Sequence, residues 1–190
     1  YNPYGFGWIT YPEEQGSCNS CYLFSSVHTV ADFFSLYTNQ LFNLDLSEEE
    51  ALACTPDCGN CAVGGYEDCV LDSIIKKGIH KEAVCSTYTA VQPTTPCSII
   101  CGSDTTFSLT NYSLTLTTED NLKQALIQRG PIIVSIPLST LGHEMELVGF
   151  KKIHLGDTIY INALDTNIIT SVDSTFIGKT SWILKDSRDS

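Results

Sequence analysis

The sequence predicts an α+β fold, because helical patterns fill its first part and strand patterns fill its second. Apolar residues recur at helical spacing before Pro131, whereas β-branched and alternating runs follow it. The 190 residues, of which 43% are apolar, are enough to bury a core as one domain. We expect a helical lobe over about residues 10–105 and a β lobe over about residues 106–190 together with the N-terminal residues, joined near the polar stretch Gly102 to Thr106.

Four helices are expected in the first part of the chain. The first is predicted to be buried on more than one side, because apolar residues recur along most of its surface. Ser47 and Glu50 form the pattern of a capping box at the start of the second. Gly78 and Gly130 are stop signals after the third and fourth. The expected spans are Cys21 to about Tyr37, Ser47 to about Ala53, about Tyr66 to Lys77, and Thr118 to Gln128.

Four strands are expected after Pro131. They are runs rich in β-branched and aromatic residues, and Gly156 and Asp157 have the composition of a hairpin turn. The expected spans are Ile132 to Leu138, Met145 to Ile153, Thr158 to Leu164, and Ser181 to Lys185.

Composition and charge exclude several functional classes. A net charge of −12 leaves no basic surface for nucleic acid, and an anionic membrane would repel the chain. No apolar run approaches the roughly 20 residues that a membrane-spanning helix needs. Because Tyr1 follows neither a charged leader nor an initiator Met, we expect a mature or trimmed form.

The nine cysteines favour an oxidising compartment, since cytosolic thiols stay reduced unless they bind metal. The odd count allows eight cysteines to pair and leaves one thiol for chemistry. Asn111 begins the sequon Asn111-Tyr112-Ser113, a glycosylation candidate that fits passage through the secretory pathway.

The pair Cys18-x-x-Cys21 has three interpretations. With Cys58-x-x-Cys61 it matches a four-cysteine zinc site, although the 36 residues between the pairs exceed the usual spacing. A thioredoxin-like redox pair would need a preceding strand, and Pro12 to Gly16 does not resemble one. The third interpretation is a nucleophile. A thiol at a helix N-terminus has a lowered pKa, and the amide of Gln15 can point toward an oxyanion formed at Cys21.

A cysteine nucleophile needs a general base, and His143 is the best candidate. It stands just before a predicted strand in the β lobe, from which it can face Cys21 across a cleft. For the other histidines we expect packed or surface positions. These are His28 in the apolar helix, His80 after a helix stop, and His154 beside a hairpin turn.

The residues around Cys21 carry a family resemblance. The segment from Gln15 to Ser25 resembles the active-site segment of the papain and cathepsin family of cysteine proteases. Six further segments agree with this family in order, and together they span nearly the whole chain. They are Leu46 to Cys54, Cys61 to Tyr66 with one residue inserted, Lys77 to Ile79, Gly130 to Val134, His143 with Val148 to Phe150, and Trp182 to Ser187.

The resemblance implies a fold, an activity and a location. The fold would be a single two-lobed peptidase domain, with a helical left lobe, an antiparallel β-barrel-like right lobe, and the active-site cleft between them. Cys21 would be the nucleophile, His143 the base, and Gln15 with the Cys21 amide the oxyanion hole. The expected activity is endopeptidase cleavage without metal or cofactor. A propeptide or protein inhibitor is an expected partner, and the location would be a lysosome-like or vacuolar compartment or outside the cell.

The resemblance also implies disulfides and a substrate site. Cys18 would pair with Cys61 and Cys54 with Cys97, which leaves Cys58, Cys69, Cys85 and Cys101 for two bridges of open pairing. Gly64, Gly65 and the adjacent Tyr66 would lie where the substrate backbone pairs. Glu144 replaces a small residue and, with Glu67, can make a pocket acidic enough to accept Arg or Lys. Two solvated carboxylates are the alternative.

Several positions depart from the family pattern. Asp186 stands where the family has the triad asparagine, unless Asn162 takes that role, and Arg188 replaces a shielding tryptophan. Cys21 and His143 are 122 residues apart, fewer than the family's usual spacing. The chain also stops at Ser190 without the family's closing strands, so either it is incomplete or its β lobe is reduced. These departures favour an alternative function, that of a catalytically impaired binding or structural subunit.

Overall fold

The computed structural model describes residues 8–39, 44–115, 117–137, 142–163, 166–171 and 174–188, with the backbone alone for 158–163 and 166–171. Helices precede the long strands along the chain, as the sequence predicts. The helices are α1 (Cys21–Thr38), α2 (Glu48–Cys54), α3 (Glu67–Lys77), α4 (Cys97–Ile100) and α5 (Glu119–Arg129), with a 3₁₀ turn at Glu82–Val84. The strands are β1 (Gly59–Asn60), β2 (Gly64–Gly65), β3 (Ile132–Ile136), β4 (His143–Lys152), β5 (Thr158–Ala163), β6 (Thr166–Ser171) and β7 (Thr180–Lys185).

Helix α1 is the centre of the hydrophobic core. Its apolar side chains are buried on several sides, as their spacing predicts, and α2, α3 and β4 pack around it. Its backbone ends at Asn39, whose φ of 52° is the left-handed conformation typical of a helix C-terminus. The fully buried residues of the core include Leu23, Val27, Val30, Leu52 and Val70. Burial of this helix fixes the position of Cys21 at its first residue.

The capping box predicted for α2 is only half formed. The Ser47 hydroxyl accepts from the Glu50 backbone N–H at 3.1 Å, as expected. The Glu50 carboxylate, however, does not accept from the Ser47 backbone N–H, as a full capping box requires. It accepts from the backbone N–H of His80 at 2.7 Å and pairs with Nδ1 of the same residue at 2.8 Å. The Ser47 backbone N–H donates to the His80 carbonyl instead, because the loop after α3 lies alongside the start of α2.

Strands β3, β4 and β7 form an antiparallel sheet in that order. Ile136 pairs with His143, and Glu146 pairs with Lys185. The histidine was expected just before its strand, and it is the first residue of β4 instead. Strand β3 was expected to reach Leu138, which lies outside the described residues.

Strands β5 and β6 form a separate hairpin. The sequence did not predict β6, and it placed the end of β5 at Leu164, which lies outside the described residues. The hairpin turn expected at Gly156 and Asp157 is a turn between β4 and β5 but closes no hairpin, because β4 pairs with β3 and β7 whereas β5 pairs with β6. Among the described strands these two sheets are separate, so a barrel-like closure stays a prediction, as do the boundaries of the two lobes.

Four disulfides connect the loops around the helices. Two are the pairs that the resemblance implies, and two have partners that the sequence left open. They are Cys18–Cys61, Cys54–Cys97, Cys58–Cys69 and Cys85–Cys101. Because Cys18, Cys58 and Cys61 are oxidised, they are not thiolate ligands for zinc, and Cys18 is not a redox partner for Cys21. The four bridges fit an oxidising compartment.

None of the helices that the structure describes combines the length and apolar character needed to cross a membrane.

Candidate active site

One free thiol lies at the N-terminus of α1. Eight of the nine cysteines form disulfides, and half-buried Cys21 is the ninth. Burial by itself raises the pKa of the Cys21 thiol. Hydrogen bonds from the His143 ring and the Glu144 backbone, with the charge of His143, outweigh burial and lower that pKa. The sulfur therefore ionises more readily than an ordinary cysteine, which a sulfur nucleophile requires.

The His143 imidazole connects this thiol to a carboxylate. His143 is 4% exposed, and its Nε2 lies 2.6 Å from Oδ1 of Asp186. Asp186 is the first residue after β7. Because Nε2 is occupied, Nδ1 is the ring nitrogen left for the hydrogen bond to Cys21. Burial alone lowers the pKa of His143, but the hydrogen bonds and charges of Asp186 and Cys21 raise it to about 9.

Asp186 is the residue that hydrogen-bonds to the His143 ring in this structure. Its Oδ1 also accepts from the Arg188 backbone N–H at 3.1 Å, and the Nε of Arg188 lies 3.8 Å away. Burial alone raises the pKa of Asp186, but His143 and Arg188 outweigh burial and lower it. The alternative partner, Asn162, pairs through its backbone with Asn167 in the β5–β6 hairpin, and its side chain lies outside the described residues.

Gln15 is buried and makes four hydrogen bonds, one of which its backbone carbonyl accepts from the Tyr88 hydroxyl at 2.9 Å. Its backbone N–H donates to the Ser187 carbonyl at 2.7 Å, and its side-chain oxygen accepts from the Ser187 hydroxyl at 2.7 Å. Its side-chain nitrogen donates to the Cys18 carbonyl at 2.8 Å. An amide nitrogen carries two hydrogens, so one N–H of Gln15 remains for an oxyanion beside Cys21.

Comparison with known proteins identifies the family of this chain. A family model described as papain family cysteine protease matches residues 5–187. The chain belongs to the papain family. Caricain from Carica papaya is 39% identical over 74 residues, which cover 39% of this chain and 20% of caricain. Thiol protease SEN102 from Hemerocallis sp. is 26% identical over 182 residues, which cover 95% of this chain and 48% of that protein. The chain thus spans about half or less of the length of these two relatives.

Solved structures share the papain-like fold. The bromelain protease from Ananas comosus, in complex with the E64 inhibitor, superimposes with a TM-score of 0.70 at 22% identity, covering 96% of this chain and 79% of that chain. Digestive procathepsin L 3 of the Tenebrio molitor larval midgut gives a TM-score of 0.66 at 23% identity, covering 94% of this chain and 56% of that chain. At these identities the likeness concerns the fold.

In this papain-family chain Gly64 and Gly65 form strand β2, which lies next to α1. Gly65 pairs with Gly59 in the β1–β2 ribbon and packs directly on the Tyr22 ring. A Cβ at Gly65 would lie 2.4 Å from the Cys58 carbonyl oxygen, so no other residue fits without backbone movement. Gly64 has a φ of +79°, and a Cβ there would lie 3.5 Å from the Asn19 carbonyl oxygen. The next residue in sequence, Tyr66, is 71% exposed.

Two carboxyl groups meet beside Cys21. Glu67 is the first residue of α3 and Glu144 the second of β4, and their side chains hydrogen-bond to each other. Burial, then the charge and hydrogen bond of Glu67, and then Cys21 raise the pKa of Glu144 to about 8. Both residues are half-buried, and Oε2 of Glu144 has no hydrogen-bond partner among the described residues. The pair is therefore partly desolvated, and with one shared proton it keeps one negative charge.

Sequence reasoning missed Ser187 as a residue of this site. The only sequence feature that could have indicated it is its position directly after Asp186, the residue assigned to hold His143.

A second feature that sequence reasoning missed is the buried ion cluster behind the site, in which Nζ of Lys185 lies 3.3 Å from Asp32 and 3.4 Å from Glu146. Long-range pairs of this kind leave no trace in local sequence patterns.

Proposed function

We propose that this chain is a papain-like cysteine endopeptidase. The observation that carries the proposal is the hydrogen-bonded series from the Cys21 thiol through the His143 imidazole to the Asp186 carboxylate. The opposed pKa changes of the first two groups favour a thiolate and an imidazolium at neutral pH. A preformed ion pair of this kind provides the nucleophile and the proton donor together.

The proposed reaction has two stages. The Cys21 thiolate attacks the carbonyl carbon of a peptide bond, and the Gln15 amide with the Cys21 backbone N–H stabilises the oxyanion. The His143 imidazolium gives its proton to the leaving amine, and a thioester remains on Cys21. His143 then removes a proton from water, the hydroxide attacks the thioester, and the carboxylic acid product leaves as the thiolate reforms. No step requires a metal or a cofactor.

Asp186 orients His143 as an amide would and adds a full negative charge. A carboxylate accepts the imidazole N–H and also stabilises the imidazolium, which extends the ion pair to higher pH. Arg188 lies close enough to balance part of that charge. We therefore expect Asp186 to permit turnover and to shift its pH range.

The acidic pair beside the nucleophile supports a preference for basic substrates. A Lys or Arg side chain placed between Glu67 and Glu144 would balance the negative charge that remains on the pair. Gly64, Gly65 and the exposed Tyr66 are the proposed positions for the substrate backbone, because the absence of side chains at the glycines leaves their peptide groups accessible.

Labelling with a thiol-directed epoxide tests the proposal. We expect the folded protein to be modified at Cys21 alone, with a parallel loss of cleavage of short Arg-containing peptides, and the Cys21→Ala variant to resist labelling. A Cys21 that stays unmodified in the folded protein, yet reacts after denaturation, contradicts the enzymatic proposal.

The second candidate is a catalytically impaired subunit that binds partners through the same cleft. Arg188 beside Asp186 is the observation that favours it, because a flexible charged side chain shields the His143 bond from water poorly. An intact protein that takes up the epoxide at Cys21 but cleaves no peptide supports this candidate.

The proposed location is a lysosome-like or vacuolar compartment, or the cell exterior. The exposed Asn111 is a proposed glycosylation site of that route. A propeptide or protein inhibitor is the proposed macromolecular partner, and mass spectrometry of protein from secretory cells would detect both the glycan and a bound partner.

A further inference from the structure

An imidazole and two carboxylates converge behind the active site, between the N-terminal segment, α1 and α2. The residues are Glu13, His28 and Glu48, and one ligand atom from each lies within 4.8 Å of the others. His28 is 6% exposed and Glu48 is 1% exposed, while Glu13 is half-buried and closes the cluster from the solvent side. The cluster is separate from Cys21 and His143, and the proposed reaction does not use it.

Two atoms of this cluster are buried without hydrogen bonds. The Nε2 of His28 and the Oε1 of Glu48 face each other at 3.3 Å, and neither has a hydrogen-bond partner among the described residues. Buried polar atoms are nearly always hydrogen-bonded, because leaving them unpaired costs free energy. Two such atoms directed at each other indicate a missing partner between them.

The acceptor atoms that face this gap favour a cation as the missing partner. An imidazole nitrogen without a hydrogen offers one lone pair, and carboxylate oxygens offer several. The ammonium of Lys185 lies nearby but forms its ion pairs with Asp32 and Glu146, at 3.3 and 3.4 Å.

We propose that Glu13, His28 and Glu48 bind a divalent transition-metal cation, for which Zn²⁺ has the best chemical fit. Ligands of a tetrahedral zinc ion, each about 2.1 Å from the metal, are separated by about 3.4 Å. The 3.3 Å between His28 and Glu48 already matches this separation. Imidazole nitrogen suits Zn²⁺ better than Ca²⁺ or Mg²⁺, which prefer all-oxygen sites. Water is the expected fourth ligand, on the side of Glu13.

A metal ion here would fasten the N-terminal segment to the helix that carries the nucleophile. Glu13 lies two residues before Gln15, and His28 lies on α1, which begins at Cys21. We expect the ion to stabilise the folded chain, since any ligand that binds only the folded state does so by mass action.

Cobalt titration tests the site in the Cys21→Ala chain, which removes the thiolate that would otherwise compete for metal. We expect one Co²⁺ per chain with the intense visible bands of tetrahedral cobalt, displacement by Zn²⁺, and a rise in Tm with either ion. Glu13→Gln should weaken binding at least about tenfold. Its matched control is Glu14→Gln, the exposed neighbouring carboxylate, which should leave binding unchanged.

Two additional variants show which histidine holds the metal ion. His28→Gln should abolish the tetrahedral bands, and His143→Gln in the same background should preserve them. If His28→Gln fails to fold, Glu13→Gln decides alone, because its side chain is half-exposed and its loss leaves the core intact. The proposal is overturned if no tetrahedral cobalt forms, or if Glu13→Gln and Glu14→Gln bind cobalt equally well.

Discussion

The Ser187 hydroxyl donates a 2.7 Å hydrogen bond to the side-chain oxygen of Gln15. Ser187 directly follows Asp186, the residue that accepts from His143. One turn of chain after β7 therefore fixes both the proposed oxyanion donor and the partner of the proposed base. Misplacement of this segment would affect both halves of the proposed reaction.

Ser187→Ala should reduce turnover without changing the reactivity of the thiol. The substitution leaves the buried Gln15 oxygen unpaired and frees the amide to rotate away from the oxyanion. We expect kcat to fall about tenfold with KM nearly unchanged, since the lost interaction forms fully only in the transition state. Alkylation of Cys21 by iodoacetamide forms no oxyanion and should keep its rate. A variant in which the rates of both reactions fall equally would indicate general misfolding instead.

The pH dependence of Cys21 alkylation should show the ion pair directly. The lowered pKa of Cys21 and the pKa of about 9 for His143 define the pH range in which thiolate and imidazolium coexist. Alkylation should therefore begin below the pH at which a free cysteine reacts, and peptide turnover should decline as His143 loses its proton near pH 9.

Asp186→Asn is the matched variant for this profile. An amide removes the negative charge that raises the pKa of His143, so the alkaline decline in turnover should move to lower pH. The acidic limb of alkylation should move little, because His143 stays protonated at that pH and still supports the thiolate. An unchanged profile in this variant contradicts the role proposed for Asp186.

Substrate preference should depend on the two carboxyl groups beside the nucleophile. Above about pH 8, where Glu144 is ionised, Glu144→Gln should lower kcat/KM for Arg-containing peptides about 10- to 100-fold, the size of one lost charged hydrogen bond, and should raise it for Leu-containing ones. In the parent protein the ratio of Arg to Leu cleavage should rise as pH passes about 8, where Glu144 loses its proton. Glu67→Gln should change kcat/KM for the two kinds of peptide in the same directions. Equal ratios in all three proteins would mean that the pair is only a solvated surface.

Local patterns in the sequence predicted the elements that carry the nucleophile and its base. The burial of α1 follows from its apolar spacing, and Cys21 follows from the motif that opens it. Strand β6 was missed because its polar stretch, Thr166 to Ser171, has no period-2 alternation of apolar residues. Ser187 was missed for another reason, because its hydrogen bond to Gln15 joins residues 172 positions apart, and local propensity carries no information about such contacts. The partners of Cys58 and Cys85 stayed open because four cysteines allow three pairings, and sequence alone does not choose among them.

The buried carboxyl groups should make the folded protein more stable at acidic than at neutral pH. Burial, in spite of Lys185, raises the pKa of Glu146 from 4.5 to about 8, and Asp32 acts in the same direction. Between these pH values the folded chain keeps a proton that the unfolded chain has lost, so raising the pH favours unfolding. Glu13, with a pKa of about 7, contributes in the same sense. His143 does too, because its pKa of about 9 exceeds its ordinary value.

Urea unfolding of the Cys21→Ala chain at pH 5 and pH 8 measures this dependence. That background prevents self-cleavage and removes the thiolate, whose lowered pKa acts in the opposite direction. His28 opposes within this range, because burial lowers its pKa and only the unfolded chain takes up a proton there at pH 5, so the raised carboxyl groups together must outweigh it. Asp186 also opposes, but its carboxyl titrates below this pH range and contributes little within it. We expect a larger free energy of unfolding at pH 5, and a smaller difference between the two pH values in Glu146→Gln than in the exposed control Glu14→Gln. A parent protein more stable at pH 8 would contradict the proton proposed on Glu146 in the folded state.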